Sequence, residues 1–193
     1  LYIRRSKTPG PEDLERYQTV YARHPGAVAA PTAGFHFSEE ILRELQNQGI
    51  SITFVTLHVG YGTFEPVKTE DVRQHKMHKE WCEVSRETAD LIDSTRRQGG
   101  RVIAVGTTVV RVLEGVVSQC SDFPYRGFCD CYIVPGYRFK VVDAMVTNFH
   151  LPKSTLILLV SAFAGRDLIL SAYREAIARR YRFYSYGDAM LIL

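Results

Sequence analysis

The stretch RVIAVGTTVVRVLEGVV, residues 101–117, restricts the fold of this chain more than any other. Val102 to Val105 form an uninterrupted apolar run, the pattern of a strand buried on both faces. Gly106-Thr107-Thr108 follows at once, and Val109, Val110, Leu113, Val116 and Val117 then recur at helical spacing. Strand, tight turn and helix in immediate succession make one βα unit, which must bury its helix against a sheet. The chain is therefore expected to be an α/β protein, with a mixed, largely parallel sheet flanked by helices. Its 193 residues suffice for one substantial core, and with no repeat, low-complexity tract or linker a single domain over 1–193 is expected.

Other elements follow from their ends and periodicities. Pro11, with Glu12, Asp13 and Glu15 in a first turn and Leu14, Tyr17 and Tyr21 on one stripe, predicts an opening helix. SEEILRELQNQG predicts a second, started by Ser38 and stopped by Gly49. Ile50, Ile52 and Phe54 alternate with polar residues until the phase slips at Val55, which predicts a strand over 50–59 bulged near Phe54. Further on, the pattern predicts a helix over about 86–98, a loop over 118–130, and strands in CYIV and FKVVDAMV around a Pro135-Gly136 turn. Two helices meeting at Gly165 follow, the second buried through Ile169, Ala172, Tyr173, Ala176 and Ile177, and DAMLIL closes the chain as a strand.

Composition excludes several classes. At 46% hydrophobic and 23% charged, the chain is a folding one rather than a disordered one. Its longest apolar run, Leu156 to Ala164, falls far short of the ~20 residues of a membrane span. No charged-then-apolar leader opens it, so the cytoplasm is the expected location. Leu1 in place of Met, and the run LYIRRSKTPG, point to a missing N-terminal portion. The net charge of +3 permits an anionic partner without requiring one. Cys82, Cys120, Cys129 and Cys131 are too few and too uneven for a disulfide framework, and Cys129-Asp130-Cys131 lacks the usual zinc-site gap. Reduced thiols and no metal are expected. His75, His78 and Glu80 are donors that zinc accepts, but Lys76 and Lys79 would repel a cation; a small metal-dependent hydrolase using these histidines and the cysteines is an alternative.

Five segments set Gly, Thr and His at element ends: APTAGFHF (30–37), TLHVGYGTFEPV (56–67), HKMHKE (75–80), VGTTVVR (105–111) and NFHLPKST (148–155). In open α/β sheets, ligands sit beyond the carboxyl ends of strands, where helix N-termini present unpaired N–H groups. Thr107 and Thr108 read either as such a site or as a plain N-cap. Gly60 and Gly62 read either as a mobile turn or as backbone brought close to a ligand. The missing G-x-G-x-x-G removes support for a dinucleotide site. In RRYRFYSYGD, guanidinium and aromatic groups alternate, suiting single-stranded RNA, or equally a solvated helix end.

Taken together, PGAVAAPTAGFHF, VTLHVGYGTFEPV, RVIAVGTTVVRVLE, VVDAMVTNFHLPKSTLILLVSAFAG and YRFYSYGDAM resemble, in order, the S-adenosylmethionine:tRNA ribosyltransferase-isomerase family of queuosine biosynthesis. Phe35 stands where a leucine is usual, and residues 118–131 depart from the family pattern. A monomer is expected, although the sequence itself does not fix the oligomeric state, and the resemblance implies a cytoplasmic enzyme without cofactor. It consumes S-adenosylmethionine as a ribosyl donor, modifies 7-aminomethyl-7-deazaguanine in tRNA with a GUN anticodon to epoxyqueuosine, and releases adenine and methionine. It also implies an N-terminal segment and an inserted β-barrel that precede this stretch, leaving 1–193 as the α/β catalytic domain. An RNA-binding or catalytically incomplete remnant is the alternative.

That chemistry needs groups that take and give protons, and histidine can do either. His36, His58 and His150 lie inside the matched motifs and are the candidate catalytic residues, with Asp143 as a carboxylate in reserve. Substrate contacts are expected from Thr32, Gly34, Phe35, Gly60, Gly62, Thr63, Glu80, Gly106, Thr107, Thr108, Arg111, Asn148, Lys153, Ser154 and Thr155, with Phe35, Phe37 or Phe149 stacking on adenine or facing the sulfonium. Arg179, Arg180, Tyr181 and Arg182 are the candidate tRNA contacts.

Overall fold

The computed structural model describes residues 17–60, 69, 71–119 and 123–193. The predicted opening helix falls mostly outside them, and Tyr17–Tyr21 are not helical. A short 3-10 turn, Thr32–His36, precedes helix α1, Glu39–Asn47. As the sequence predicts, Ser38 caps α1 by accepting from the Ile41 N–H, and Gly49 beyond its end takes φ +81°. Strands β1, Thr56–Leu57, and β2, Glu80–Val84, lead to α2, Arg86–Arg97, which Ser85 caps through the Thr88 N–H. The βα unit follows as β3, Ile103–Val105, and α3, Thr107–Gln119. Then come β4, Tyr125–Cys129, β5, Ala144–Asn148, α4, Thr155–Ala164, α5, Arg166–Ala178, and β6, Ala189–Ile192. Helices α4 and α5 meet at 114° across Gly165, and among the described residues no single helix is long and apolar enough to cross a membrane.

The α/β class holds, but the strands form two three-stranded sheets. Order β1-β2-β4 is antiparallel throughout; in β3-β5-β6 only β3–β5 is parallel. The expected predominance of parallel pairing is therefore confined to one pair. Strand β3 is also not buried on both faces: it lies at the sheet edge with Ile103 47% exposed.

Helix α3 is the centre of the molecule. Val110 to Val116 are all buried, and the helix packs against strands of both sheets, so it needs no polar face. It carries Gly115 where the chain passes closest to β4, and a Cβ there would strike Cys129 Sγ and Cys131 Cβ. It also carries Glu114, fully buried, whose Oε1 accepts from the Val141 and Val142 N–H groups and whose Oε2 accepts from Lys140 N–H and Tyr137 O–H.

These contacts explain where pattern and structure part. In FKVV the N–H groups of Lys140, Val141 and Val142 donate to the Glu114 carboxylate rather than to a neighbouring strand, so the ladder begins only at Ala144. Residues 50–55 stay outside the ladder because Thr88 of α2 bonds Phe54 O and Thr53 Oγ1. CYIV is irregular, and part of the predicted 118–130 loop is strand β4, where Phe128 points outward and Cys129 inward, against the usual sorting.

Candidate functional site

Strands β3 and β5 run parallel as neighbours, so their carboxyl ends emerge side by side. Gly106, at φ +98°, turns the chain straight from β3 into α3 and donates its N–H to Val146 O at 2.8 Å. That bond holds the start of α3 against the end of β5. Beyond β5, Asn148, Phe149 and His150 lead to Ser154, which caps α4 by accepting from Ile157 N–H at 3.3 Å. Two helix N-termini thus open on one cleft of about 120 Å³, lined by Pro31, Thr32, Gly106, Thr107, Thr108, Arg111, Thr147, Asn148, His150 and Ser154. Unpaired N–H groups and the positive ends of two helix dipoles favour an anion there.

Arg111 reaches the cleft wall already paired. Its Nη2 donates to Glu80 Oε2 at 2.6 Å, both side chains being almost fully buried, while Gly60 N–H donates to Glu80 Oε1 at 2.8 Å. The pair neutralises itself and ties the residue-60 turn and β2 to α3. Arg111 therefore acts first as part of the cleft wall, with Glu80 buried behind it.

His150 lines the cleft with its Nε2 2.8 Å from Thr147 Oγ1, and its backbone N–H donates to Tyr173 Oη at 2.8 Å. Burial pushes its imidazole down to about 4, so it is neutral at pH 7. Asn148 joins three segments distant in sequence. Its Oδ1 accepts from Thr32 Oγ1 at 3.1 Å, and its Nδ2 donates to Gly187 O at 3.4 Å and lies 3.3 Å from His36 Nε2. His36 is therefore at the rim, exposed, attached through Asn148.

Other candidates lie elsewhere. His58 does not line the cleft, although its neighbour Val59 does; its ring lies against Trp81, and its Nδ1 is buried without a hydrogen-bond partner. Asp143 is removed from the site altogether: it precedes β5, so the length of that strand, about 17 Å, separates it from Asn148, and its carboxylate accepts from Val102 N–H at 2.8 Å. Lys153 is exposed at φ +59° and does not line the cleft. Thr155 is buried with its hydroxyl unpaired, behind the cap. Gly34 packs against Tyr21 and Thr19, and Phe35 contacts Tyr17 and Tyr186, so both serve local packing. Gly62 and Thr63 lie outside the described residues. Of the basic candidates, Arg179 pairs with Glu175 at 2.5 Å and Arg182 with Asp188 at 3.2 Å. Arg180 is exposed with no ion pair among the described residues, and Tyr181 is 46% exposed beside Phe149.

Among the described residues no group of three or more His, Cys, Asp or Glu could hold a metal, and His75 packs on Tyr132. Cys82, Cys129 and Cys131 are buried and form no disulfide; Cys120 lies outside the described residues. Sequence reading missed Thr147 and Tyr173, the two hydroxyls that hold His150. Neither carries a signal, since Thr147 alternates like any strand residue and Tyr173 fits the apolar stripe of α5.

A family model described as a queuosine biosynthesis protein matches residues 1–192. A protein from Symbiobacterium thermophilum named S-adenosylmethionine:tRNA ribosyltransferase-isomerase is 61% identical over 183 residues, covering 94% of this chain and 54% of the relative. One of the same name from Stenotrophomonas maltophilia is 56% identical over 191 residues, covering 99% and 55%. The crystal structure of S-adenosylmethionine tRNA ribosyltransferase from Thermotoga maritima is similar, with a TM-score of 0.71 at 46% identity over 84% of this chain and 51% of that one. The chain spans about half the length of the relatives it matches.

Proposed function

The chain belongs to the queuosine biosynthesis protein family, and from that premise we propose that residues 1–193 are the α/β catalytic domain of an S-adenosylmethionine:tRNA ribosyltransferase-isomerase. It acts in the cytoplasm as a monomer on tRNA with a GUN anticodon. S-adenosylmethionine is the ribosyl donor: the ribosyl group moves to the aminomethyl nitrogen of the modified base and is isomerised, adenine and methionine depart, and no methyl group is transferred.

The observation that carries this reading is the meeting of Thr107, Asn148, His150 and Ser154 in one cleft between two helix N-termini. The N-termini suit the methionine carboxylate. The sulfonium acidifies the 5′ carbon beside it, and a side chain must take that proton; we assign this to His150 from its place in the cleft, held by Thr147. His36, at the rim, is assigned to the departing adenine, which must be protonated to leave. The cleft, about 120 Å³, is smaller than the roughly 300–1,000 Å³ of pockets that enclose whole small-molecule ligands. It therefore takes the amino-acid end of the donor, with the nucleoside end directed toward His36 at the rim.

Calorimetric titration with S-adenosylmethionine, followed by chromatography for adenine with tRNA bearing the aminomethyl base, tests the proposal. Saturable binding and adenine release are expected, and His150→Ala should bind but release none. No binding, or normal release by His150→Ala, refutes it. Binding by the parent chain without adenine release supports a second reading, a catalytically incomplete half, which the chain's half-length match favours.

A further inference from the structure

The β1-β2-β4 sheet has two unlike faces. Inward, Glu80, Cys82, Val84 and Cys129 are buried. Outward, the register aligns Thr56, Glu83 and Arg126 in one row across the three strands. One step along, Trp81 is paired with Phe128, and the His58 N–H donates to Trp81 O at 2.9 Å, continuing β1 by a residue. The next row is thus His58, Trp81 and Phe128, three rings across three strands. The His58 and Trp81 centroids are 5.0 Å apart, and the Arg126 guanidinium lies 5.4 Å from the Trp81 centroid.

This row sits outside the cleft, and packing among the described residues does not account for it. Phe128 is 60% exposed, although burying such a ring is ordinarily favourable. Gly26 closes the far side of His58, where an added Cβ would meet the imidazole Nδ1 at 2.5 Å, so Phe128 is the open ring of the row, with Trp81 half-buried beside it. Arg126 borders them, exposed and only loosely paired to Glu83 at 3.7 Å, and Lys76 and Lys79 are exposed on the segment entering β2.

We propose that this face is a stacking platform for unpaired bases of an RNA. Aromatic rings standing on an open antiparallel sheet offer the sequence-tolerant π surface that bases stack upon, and a surrounding set of cations meets the phosphates between them. An apolar protein partner would instead have to desolvate Arg126 and Glu83 beside the rings. The inference deepens the reading above, since it supplies the contact to the RNA substrate on a different sheet from the nucleoside cleft.

Trp81 is the only tryptophan, so its fluorescence reports on the platform itself. The full chain is titrated with an anticodon stem-loop RNA and, separately, with a blunt duplex of the same stem. Saturable quenching by the stem-loop but not the duplex is expected, with Phe128→Ala weakening stem-loop affinity about 10-fold while S-adenosylmethionine binding at the cleft is unchanged. Stem-loop binding without quenching, equal response to the duplex, unaltered affinity of Phe128→Ala or no RNA binding overturns the platform. Self-association in sedimentation that Phe128→Ala abolishes also overturns it, in favour of a face between copies. Failure of S-adenosylmethionine to bind, with quenching intact, sinks the cleft assignment and leaves the platform standing.

Discussion

Glu114→Gln isolates the contact that sets the strand carrying half of the cleft. The carboxylate accepts four hydrogen bonds, at 2.9 Å from Val141 and Val142 to Oε1, and at 2.9 Å from Lys140 and 3.0 Å from Tyr137 to Oε2. An amide can accept on one side only. With its nitrogen toward Val141 and Val142, two buried backbone N–H groups face another donor. With its nitrogen toward Tyr137, the tyrosine hydroxyl turns to accept, and Lys140 N–H alone is orphaned. The second arrangement costs less. One unsatisfied donor is worth about 1–3 kcal/mol, and the remaining bonds lose the strength that charge lends them. We expect a net loss of about 2–4 kcal/mol, from a typical total of roughly 5–15. For a chain of this size that lowers the midpoint by about 4–16 °C. Urea denaturation of both proteins, followed by circular dichroism, measures the difference, with the slope m unchanged. A loss below about 0.5 kcal/mol would mean that the loop entering β5 holds itself without Glu114, and the reasoning fails.

Three further outcomes follow from particular contacts. His150 is held at about 4, below its unfolded value near 6.5, so the unfolded chain binds more protons between these values. Its contribution is complete above pH 6.5 and is lost as pH falls toward 4, by up to roughly 3 kcal/mol; denaturation across this window should show a pH slope that His150→Gln lacks, and equal slopes would refute it. Gly115→Ala must displace Cys129 or Cys131 and should cost about 1–3 kcal/mol in a urea melt, with a neutral result contradicting the packing. Arg180→Ala should lower the salt-dependence slope of tRNA binding by about 1, whereas Arg179→Ala, whose charge is held by Glu175, should change it less; equal effects would remove the distinction.

Local signals were strong wherever one residue decided an element's end. Ser38, Gly49 and Gly106 each do in the structure what their chemistry predicts, because caps and left-handed turns depend on neighbours a few residues away. Strands between residues 118 and 143 were misread because their partners are remote. FKVV looks like a strand until Glu114, 26 residues from Lys140, supplies the acceptors. The parallel pairing was overestimated for the same reason: an apolar run such as RVIAV shows burial but not which strand lies beside it, nor that Ile103 faces solvent at an edge. Within the site, the polar run 148–155 was legible as a feature, yet its members divide by orientation. Asn148, His150 and Ser154 turn into the cleft, while Lys153 and Thr155 do not.

The division turns on Asn148. A site assembled from residues 31–36, the end of β5 and the 184–187 turn needs one group that can both give and take hydrogen bonds, because it meets a hydroxyl, an imidazole nitrogen and a backbone carbonyl together. An aspartate there could accept from Thr32 but would have nothing to donate to Gly187 O, and would set a negative charge where two helix N-termini already attract one. A threonine, with one hydroxyl, would be too short to span the three. The amide satisfies all of them while remaining neutral, so the positive field of the α3 and α4 N-termini is left for a ligand. The side chain that builds the cleft thus leaves unspent the field that the proposed carboxylate would meet.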